Sequence, residues 1–261
     1  IRFTGGEPLV RKGFFQFLED LKKAVPNIRT VLTTNGSLLR SHFDAIAASP
    51  LSGVNVSLDT LDPDLFHFIT RNGSLEEVTS GIKMLSGATK MPIKINTVLM
   101  KGINDEEVPA LIDFAHQHGA QLRLIEFMPL DASVWKDDLF VPVSDIFSKL
   151  PKPCRWVRQD NSGDHSAGPA KYYKNSLTGQ RLGIIEAVSH HFCESCNRLR
   201  ISATGILRPC LFSNEGIDLR PALLSGNSEE IKLLILQGAL KKPRSLEGSQ
   251  AGTTHMSRVG G

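Results

Sequence analysis

The sequence predicts an α/β fold, an incomplete (β/α) barrel followed by a smaller C-terminal domain. Three observations predict it. Over residues 1–130, short apolar runs alternate five times with segments of helical spacing, the pattern of a parallel sheet with crossover helices. That alternation suits a doubly wound sheet as well as a barrel, and side-chain parity chooses between them. Asn55, Ser57 and Asp59 share one face of their strand, as do Lys94 and Asn96, and Arg2 and Thr4. A parallel strand buried on both faces would be apolar on both, so one face is wet, as in the lumen of a barrel. From about Asp131 the alternation gives way to short strands around a cysteine group, which sets the domains at 1–130 and 131–261.

The elements follow in order. Ile1–Thr4 is a strand that ends at Gly5-Gly6-Glu7-Pro8, and Phe14–Val25 has helical spacing and stops at Pro26. Thr30–Thr33 is the second strand, closed by Thr34-Asn35-Gly36, and Leu38–Ala48 is the second helix. Gly53–Leu58 is the third strand, followed by helices over Pro63–Thr70 and Leu75–Leu85. Pro92–Leu99 is the fourth strand, Asp105–His118 a helix stopped by Gly119, and Gln121–Phe127 the fifth strand before Met128-Pro129. Beyond it the sequence predicts a helix over Val143–Leu150 and a loop over 158–171. Strands follow at Lys171–Lys174, Arg181–Val188, Leu199–Ala203 and Ile206–Arg208. A capped helix runs from Asn227 to about Leu240, and the tail from Lys241 is polar and irregular.

Composition excludes several functions. No apolar run is long enough to span a bilayer, and no signal peptide is visible. A net charge of +3 is too weak to argue for a nucleic-acid surface but suits a small anionic substrate. The four cysteines, two in a CxxC pair, read as metal ligation in a reducing compartment. The expected location is therefore the cytoplasm, with neither nucleic acid nor membrane as partner. The chain opens at Ile1 inside an apolar run and reads as an N-terminal truncation.

The residues that carry chemistry lie mainly near the C-terminus. Cys193-Glu194-Ser195-Cys196 is followed by the lone Cys210. One reading is a structural zinc site with His190 or His191 as fourth ligand. The other is a 4Fe-4S cluster on three thiolates, with one iron open to a substrate atom. Cys154 reads as a buried thiol. Arg198 and Arg200 alternate, so they either face solvent or form a fork for phosphate. Lys94, in mid-strand, needs either an anionic ligand or an ion pair with Glu126 or Asp59. Gly5-Gly6-Glu7-Pro8 is a strand-to-helix turn that lets a ligand approach the backbone, with Glu7 as an acceptor for an amine or hydroxyl.

These motifs together resemble the GTP 3′,8-cyclase family of molybdenum cofactor biosynthesis, radical S-adenosylmethionine enzymes. The resemblance runs from Ile1-Arg2-Phe3-Thr4-Gly5-Gly6-Glu7-Pro8 through Leu-Thr-Thr-Asn-Gly, Val-Ser-Leu-Asp, Ile-Lys-Ile-Asn and Glu-Phe-Met-Pro. It continues to His-Phe-Cys-Glu-Ser-Cys-Asn-Arg-Leu-Arg and the terminal Gly-Gly. It implies a TIM-like incomplete barrel of the radical S-adenosylmethionine type with a C-terminal iron–sulfur domain. It further implies that Gly6, Ser57 and Met128 contact S-adenosylmethionine, and that Arg2, Thr33, Lys94, Arg198, Leu199 and Arg200 contact GTP. Cys193, Cys196 and Cys210 would hold a 4Fe-4S cluster, and Gly260 and Gly261, otherwise a frayed end, would assist the reaction.

The implied reaction starts with a 5′-deoxyadenosyl radical that takes the ribose C3′ hydrogen of GTP; the C3′ radical then attacks guanine C8. The family's second 4Fe-4S cluster sits in a CxxxCxxC loop that would precede Ile1, so the chain as given would be inactive alone. Implied partners are GTP, a cluster reductant and the next enzyme of the pathway, cyclic pyranopterin monophosphate synthase. A homodimer is also compatible. Two alternatives stay open at this point. One is a different radical S-adenosylmethionine enzyme with an auxiliary cluster, such as a peptide maturase. The other is a non-catalytic zinc-binding module.

Overall fold

The computed structural model describes residues 1–130, 135–150, 152–159, 168–190, 192–213 and 215–245. Its first half is β1 (Arg2–Phe3), α1 (Phe14–Ala24), β2 (Val31–Thr34), α2 (Phe43–Ala48), β3 (Gly53–Ser57), α3 (Pro63–Thr70), α4 (Leu75–Ala88), β4 (Ile93–Leu99), α5 (Val108–Gln117) and β5 (Gln121–Glu126). The second half is α6 (Val143–Lys149), β6 (Trp156–Gln159), β7 (Lys171–Asn175), β8 (Arg181–Ile185), β9 (Arg200–Ile201), β10 (Ile206–Arg208), β11 (Ile217–Asp218), α7 (Arg220–Ser225) and α8 (Ser228–Leu240).

One eight-stranded sheet runs in the order β1-β2-β3-β4-β5-β8-β7-β6. It is parallel from β1 through β5 to β8. β7 then pairs antiparallel with β8 and with β6. Among the described residues no ladder joins β1 to β6, yet Arg2 of β1 and Gln159 of β6 line one cavity. Opposite edges of the sheet can share a cavity only if the sheet curls, so this is an open, incomplete barrel. A second sheet, β11-β10-β9, carries the segment next to the cysteines.

The core lies on the sheet face that meets the helices. Val54, Val56, Ile95, Leu122, Leu124 and Leu182 are almost fully buried there, against Leu18, Ile46, Ile82 and Leu111 from the helices. Each such side chain contributes roughly 1.5–3 kcal/mol when fully buried. The other face is polar, as parity predicts. Along β4, buried Ile93, Ile95, Thr97 and Leu99 alternate with half-buried Lys94, Asn96 and Val98.

Several boundaries differ from the sequence reading. The second helix begins at Phe43, not Leu38, because Leu39 is drawn down onto Gly81 of α4, where a Cβ would lie 2.6 Å from Leu39 Cβ. Asp105–Glu107 form a 3-10 turn, and α5 starts at Val108 with a proline in its first turn, where a missing N–H costs nothing. β6 occupies part of the expected loop, and β11 and α7 are additional. β8 stops at Ile185, short of Val188, because the N–H groups of Val188 and Ser189 turn to the buried Glu126 carboxylate, both at 2.8 Å. Glu126 also accepts from Val143 N at 3.3 Å and from Ser189 Oγ at 2.5 Å.

Gly36 closes the turn after β2 at φ +85°, and a Cβ there would lie 2.7 Å from Val78 Cγ1 and 2.9 Å from Val56 Cγ1. Gly36→Ala therefore combines left-handed strain with overpacking, and should destabilise the fold by roughly 2–5 kcal/mol. Gly13, also left-handed at φ +76° but with nothing within 4 Å of its would-be Cβ, is the control, with an expected loss of roughly 1–2 kcal/mol. Urea denaturation of the two variants measures the difference, and equal losses would refute the packing argument.

Candidate functional site

The parallel strands give the polar face two ends. Gly6 follows β1, Ser57 is the last residue of β3, and Met128 follows β5, so all three lie at the C-terminal edge of the sheet. Ser57 is exposed. A Cβ at Gly5 or Gly6 would meet nothing within 4 Å, so the backbone there is open to a ligand.

The neighbouring carboxylates serve the backbone. Glu7 accepts from Thr34 Oγ1 at 2.9 Å, Asn35 N at 2.8 Å and Leu9 N at 3.1 Å, which ties the turn after β1 to the turn after β2. Oε1 takes two of these donors and Oε2 one, so the carboxylate retains acceptor capacity for a further amine or hydroxyl. Asp59 accepts from Val98 N at 2.8 Å. Burial nevertheless pushes its carboxyl up to about 6, with the Val98 N–H pulling the other way.

Towards the other end of the strands lies a cavity of about 400 Å³, within the roughly 300–1,000 Å³ of small-molecule sites. Arg2, Arg29, Lys94, Arg123 and Arg181 line it, and no carboxylate does among the described residues. Lys94 points to the Tyr172 ring, with Nζ 5.8 Å from its centroid. Its expected structural partners are committed elsewhere. Glu126 has the parity of the apolar face and caps four donors, and Asp59 is bonded to Val98 N.

Arg123 is the residue that the sequence reading missed. It is 3 % exposed, and it donates from Nε to Asn96 Oδ1 at 2.8 Å and from Nη2 to Asn55 Oδ1 at 2.7 Å. Asn55 in turn donates to Thr33 Oγ1 at 3.1 Å. The signal was available: Arg123 stands between Leu122 and Leu124 in mid-strand, on the parity of Lys94. Its register partner is Asn96.

These cations perturb one another. Arg2 is pulled down to about 10, by burial first and then by the charges of Arg123, Arg198 and Arg200. Burial, then Arg198, lowers Arg200 as well. Arg198 and Arg200 are thus within electrostatic reach of Arg2, and both are half-buried. Only Arg200 lies in β9, so the pair does not share one strand face as the alternation suggested. Leu199 between them is half-buried, and the Arg198 guanidinium lies 5.0 Å from the Phe192 ring centroid.

The cysteines stand beside these arginines. Cys196 N donates to Cys193 O at 3.1 Å, the turn of the CxxC pair. Burial raises the Cys193 thiol, and like-charge neighbours Cys210 and Cys196 raise it further. For Cys196, burial pulls upward but is outweighed by the backbone N–H and side chain of Arg198 and by the charge of Lys242, so its thiol is lowered. Among the described residues no three His, Cys, Asp or Glu side chains converge on a point that would hold a single metal ion. A cuboidal cluster asks for wider spacing, because each thiolate binds a different iron. Three soft thiol donors with Arg198 and Lys242 beside them suit the thiolate ligation of a 4Fe-4S cluster. Cys154 is exposed, contrary to its reading as a buried thiol. Gly260, Gly261 and His191 lie outside the described residues.

Comparison with known proteins agrees with this site. Residues 1–115 match the model of the Radical SAM superfamily, and residues 120–247 match Molybdenum Cofactor Synthesis C. A GTP 3′,8-cyclase of Hydrogenovibrio crunogenus is 39 % identical over 93 % of this chain and 74 % of its own length. The chain belongs to the GTP 3′,8-cyclase family.

The enzymes of that name from Erythrobacter litoralis and Thermodesulfovibrio yellowstonii are 41 % and 38 % identical over the whole chain, and over 80 % and 81 % of their own lengths. A crystal structure of SuiB from Streptococcus suis superposes with a TM-score of 0.57 at 17 % identity, over 82 % of this chain and 51 % of SuiB. The chain thus spans about half the length of SuiB, and that likeness concerns the fold alone. No helix among the described residues is long and apolar enough to cross a membrane.

The raised Asp59 predicts a pH dependence. Its neutral form favours the fold, so this contribution is fully present below the unfolded value near 4 and is lost as pH rises through about 6. Asp59→Asn keeps an acceptor for Val98 N but removes the titration. Between pH 4 and pH 7.5 the wild type should lose roughly 2–3 kcal/mol relative to the variant, read from denaturation at each pH. A constant difference would contradict burial as the cause.

Proposed function

We propose that this chain carries the substrate and cofactor sites of a GTP 3′,8-cyclase, which cyclises GTP in the first step of molybdenum cofactor biosynthesis. The observation that carries this reading is the cavity lined by cations, whose Arg2 feels the charges of Arg198 and Arg200, with Arg200 in turn feeling Cys196 and Cys210. When bound, S-adenosylmethionine and the 4Fe-4S clusters supply the radical chemistry of the family. The chain's own residues do the rest.

Arg2, Lys94, Arg123, Arg198 and Arg200 bind the triphosphate, whose negative charge offsets their mutual repulsion. Guanidinium groups suit this, since they meet phosphate with parallel N–H bonds. Thr33 and the backbone around Leu199 complete the contact with the nucleotide. Asn55 and Asn96 hold Arg123 in one rotamer, so its orientation costs little on binding. Gly6, Ser57 and Met128 hold S-adenosylmethionine at the C-terminal edge of the sheet. Cys193, Cys196 and Cys210 hold the cluster that faces the substrate, and Gly260 and Gly261 assist the reaction. In functional terms the chain divides into 1–130 for S-adenosylmethionine and 131–261 for the cluster, with the triphosphate held between them. A cytoplasmic setting, a cluster reductant, transfer of product to cyclic pyranopterin monophosphate synthase, and a homodimer complete the reading.

Two measurements test it. Arg123→Ala or Arg200→Ala in the full-length enzyme should each weaken GTP binding by roughly 1–3 kcal/mol by calorimetry, the worth of a charge-assisted hydrogen bond. Unchanged affinity in both variants would remove the triphosphate from this cavity. Anaerobically purified protein should contain iron and acid-labile sulfide, and Cys193→Ser or Cys210→Ser should lower both. Stoichiometric zinc without sulfide would return the cysteines to a structural role.

A further inference from the structure

Lys242 follows α8, just before Pro243, and its side chain reaches back under the cysteines. Nζ donates to Arg198 O at 2.7 Å and to Pro209 O at 3.0 Å, and lies 3.6 Å from Cys196 Sγ. An ammonium has three protons, and these three partners use them all. The partners come from two separate segments. Cys196 and Arg198 belong to the CxxC strand, whereas Pro209 adjoins Cys210.

The backbone is fixed for the task. Gly238 of α8 packs on β10, where a Cβ would lie 2.6 Å from Leu207 Cδ2, and Lys242 N donates to Ala239 O at 3.3 Å. A half-buried ammonium surrounded by two neutral carbonyls and a sulfur is poorly compensated unless that sulfur carries negative charge. A purely structural clamp would need no such partner, and a carbonyl would serve better.

We infer that Lys242 is a positioning residue for the cluster, holding the two cysteine-bearing segments in register and donating to the Cys196 thiolate. This rests on the cluster reading above. Donors to a ligating sulfur withdraw electron density from it and favour the reduced cluster. Lys242 therefore sets both the retention of the cluster and its reduction potential, without touching GTP.

The test uses the anaerobically reconstituted full-length enzyme with Lys242→Met and Lys242→Arg. The cluster of interest is the one whose paramagnetic resonance signal shifts on adding GTP. In Lys242→Met, iron release to a chelator should accelerate about tenfold, and the midpoint potential of that cluster should become more negative. Lys242→Arg, which keeps charge and donors, should recover most of both effects. Wild-type release and potential in a fully loaded Lys242→Met protein would overturn the inference. If Lys242→Met fails to fold by circular dichroism, Lys242→Gln, uncharged but able to hydrogen-bond both carbonyls, decides: a wild-type potential there likewise overturns it. Iron and sulfide contents unchanged in Cys193→Ser and Cys210→Ser would instead sink the cluster reading itself, so the two failures are distinguishable.

Discussion

The structure turns on a concentration of positive charge. Burial lowers Arg2, Arg123 and Arg200, like charges lower Arg2 and Arg200 further, and the described walls of the cavity that Arg2 and Arg123 line contain no carboxylate. Such crowding opposes folding, since Arg123 and Arg200 lose water and Arg200 has a like charge beside it. It persists because the curled sheet brings β1 and β7 around the same space, and because Asn55 and Asn96 satisfy Arg123 with neutral acceptors. Neutral acceptors hold a cation in place without cancelling its field. A bound polyanion would meet that field at full strength.

The same economy governs the acids. Glu7, Asp59 and Glu126 lie near strand ends and Glu107 just before α5, and each accepts from backbone N–H. A carboxylate used this way shapes a turn and is kept out of the cavity. The sheet thus separates its charges by function: acids fix the loops at the C-terminal ends of the strands, and bases face the lumen. Between the two, Gly6, Ser57 and Met128 leave an open edge at the ends of β1, β3 and β5.

Much of this was legible in the sequence, because it depends on short-range periodicity. α3 and β10 have the bounds that their spacing predicts, and the wet parity of β3 and β4 pointed to a lumen. What was not legible depends on contacts distant in sequence. Glu126 reads as a partner for Lys94 until the pairing register puts it on the opposite face. Glu7 reads as an acceptor, and only the fold shows that Thr34 and Asn35 are among its donors. Arg123 was visible as a cation in an apolar strand, but only the asparagines of β3 and β4 explain how it is tolerated there. β6 was hidden because its four residues gain strand character from Tyr172–Asn175 across the ladder, not from their own pattern.

Glu126 has one more consequence. It stands at the end of β5, just before Met128, and its two oxygens grip the entrance to α6 and the segment that leads from β8 towards the cysteines. One side chain therefore ties the end of β5 to both segments. Loss of that one carboxylate would release the start of α6 and the turn after β8 together, although 62 residues separate Glu126 from Val188.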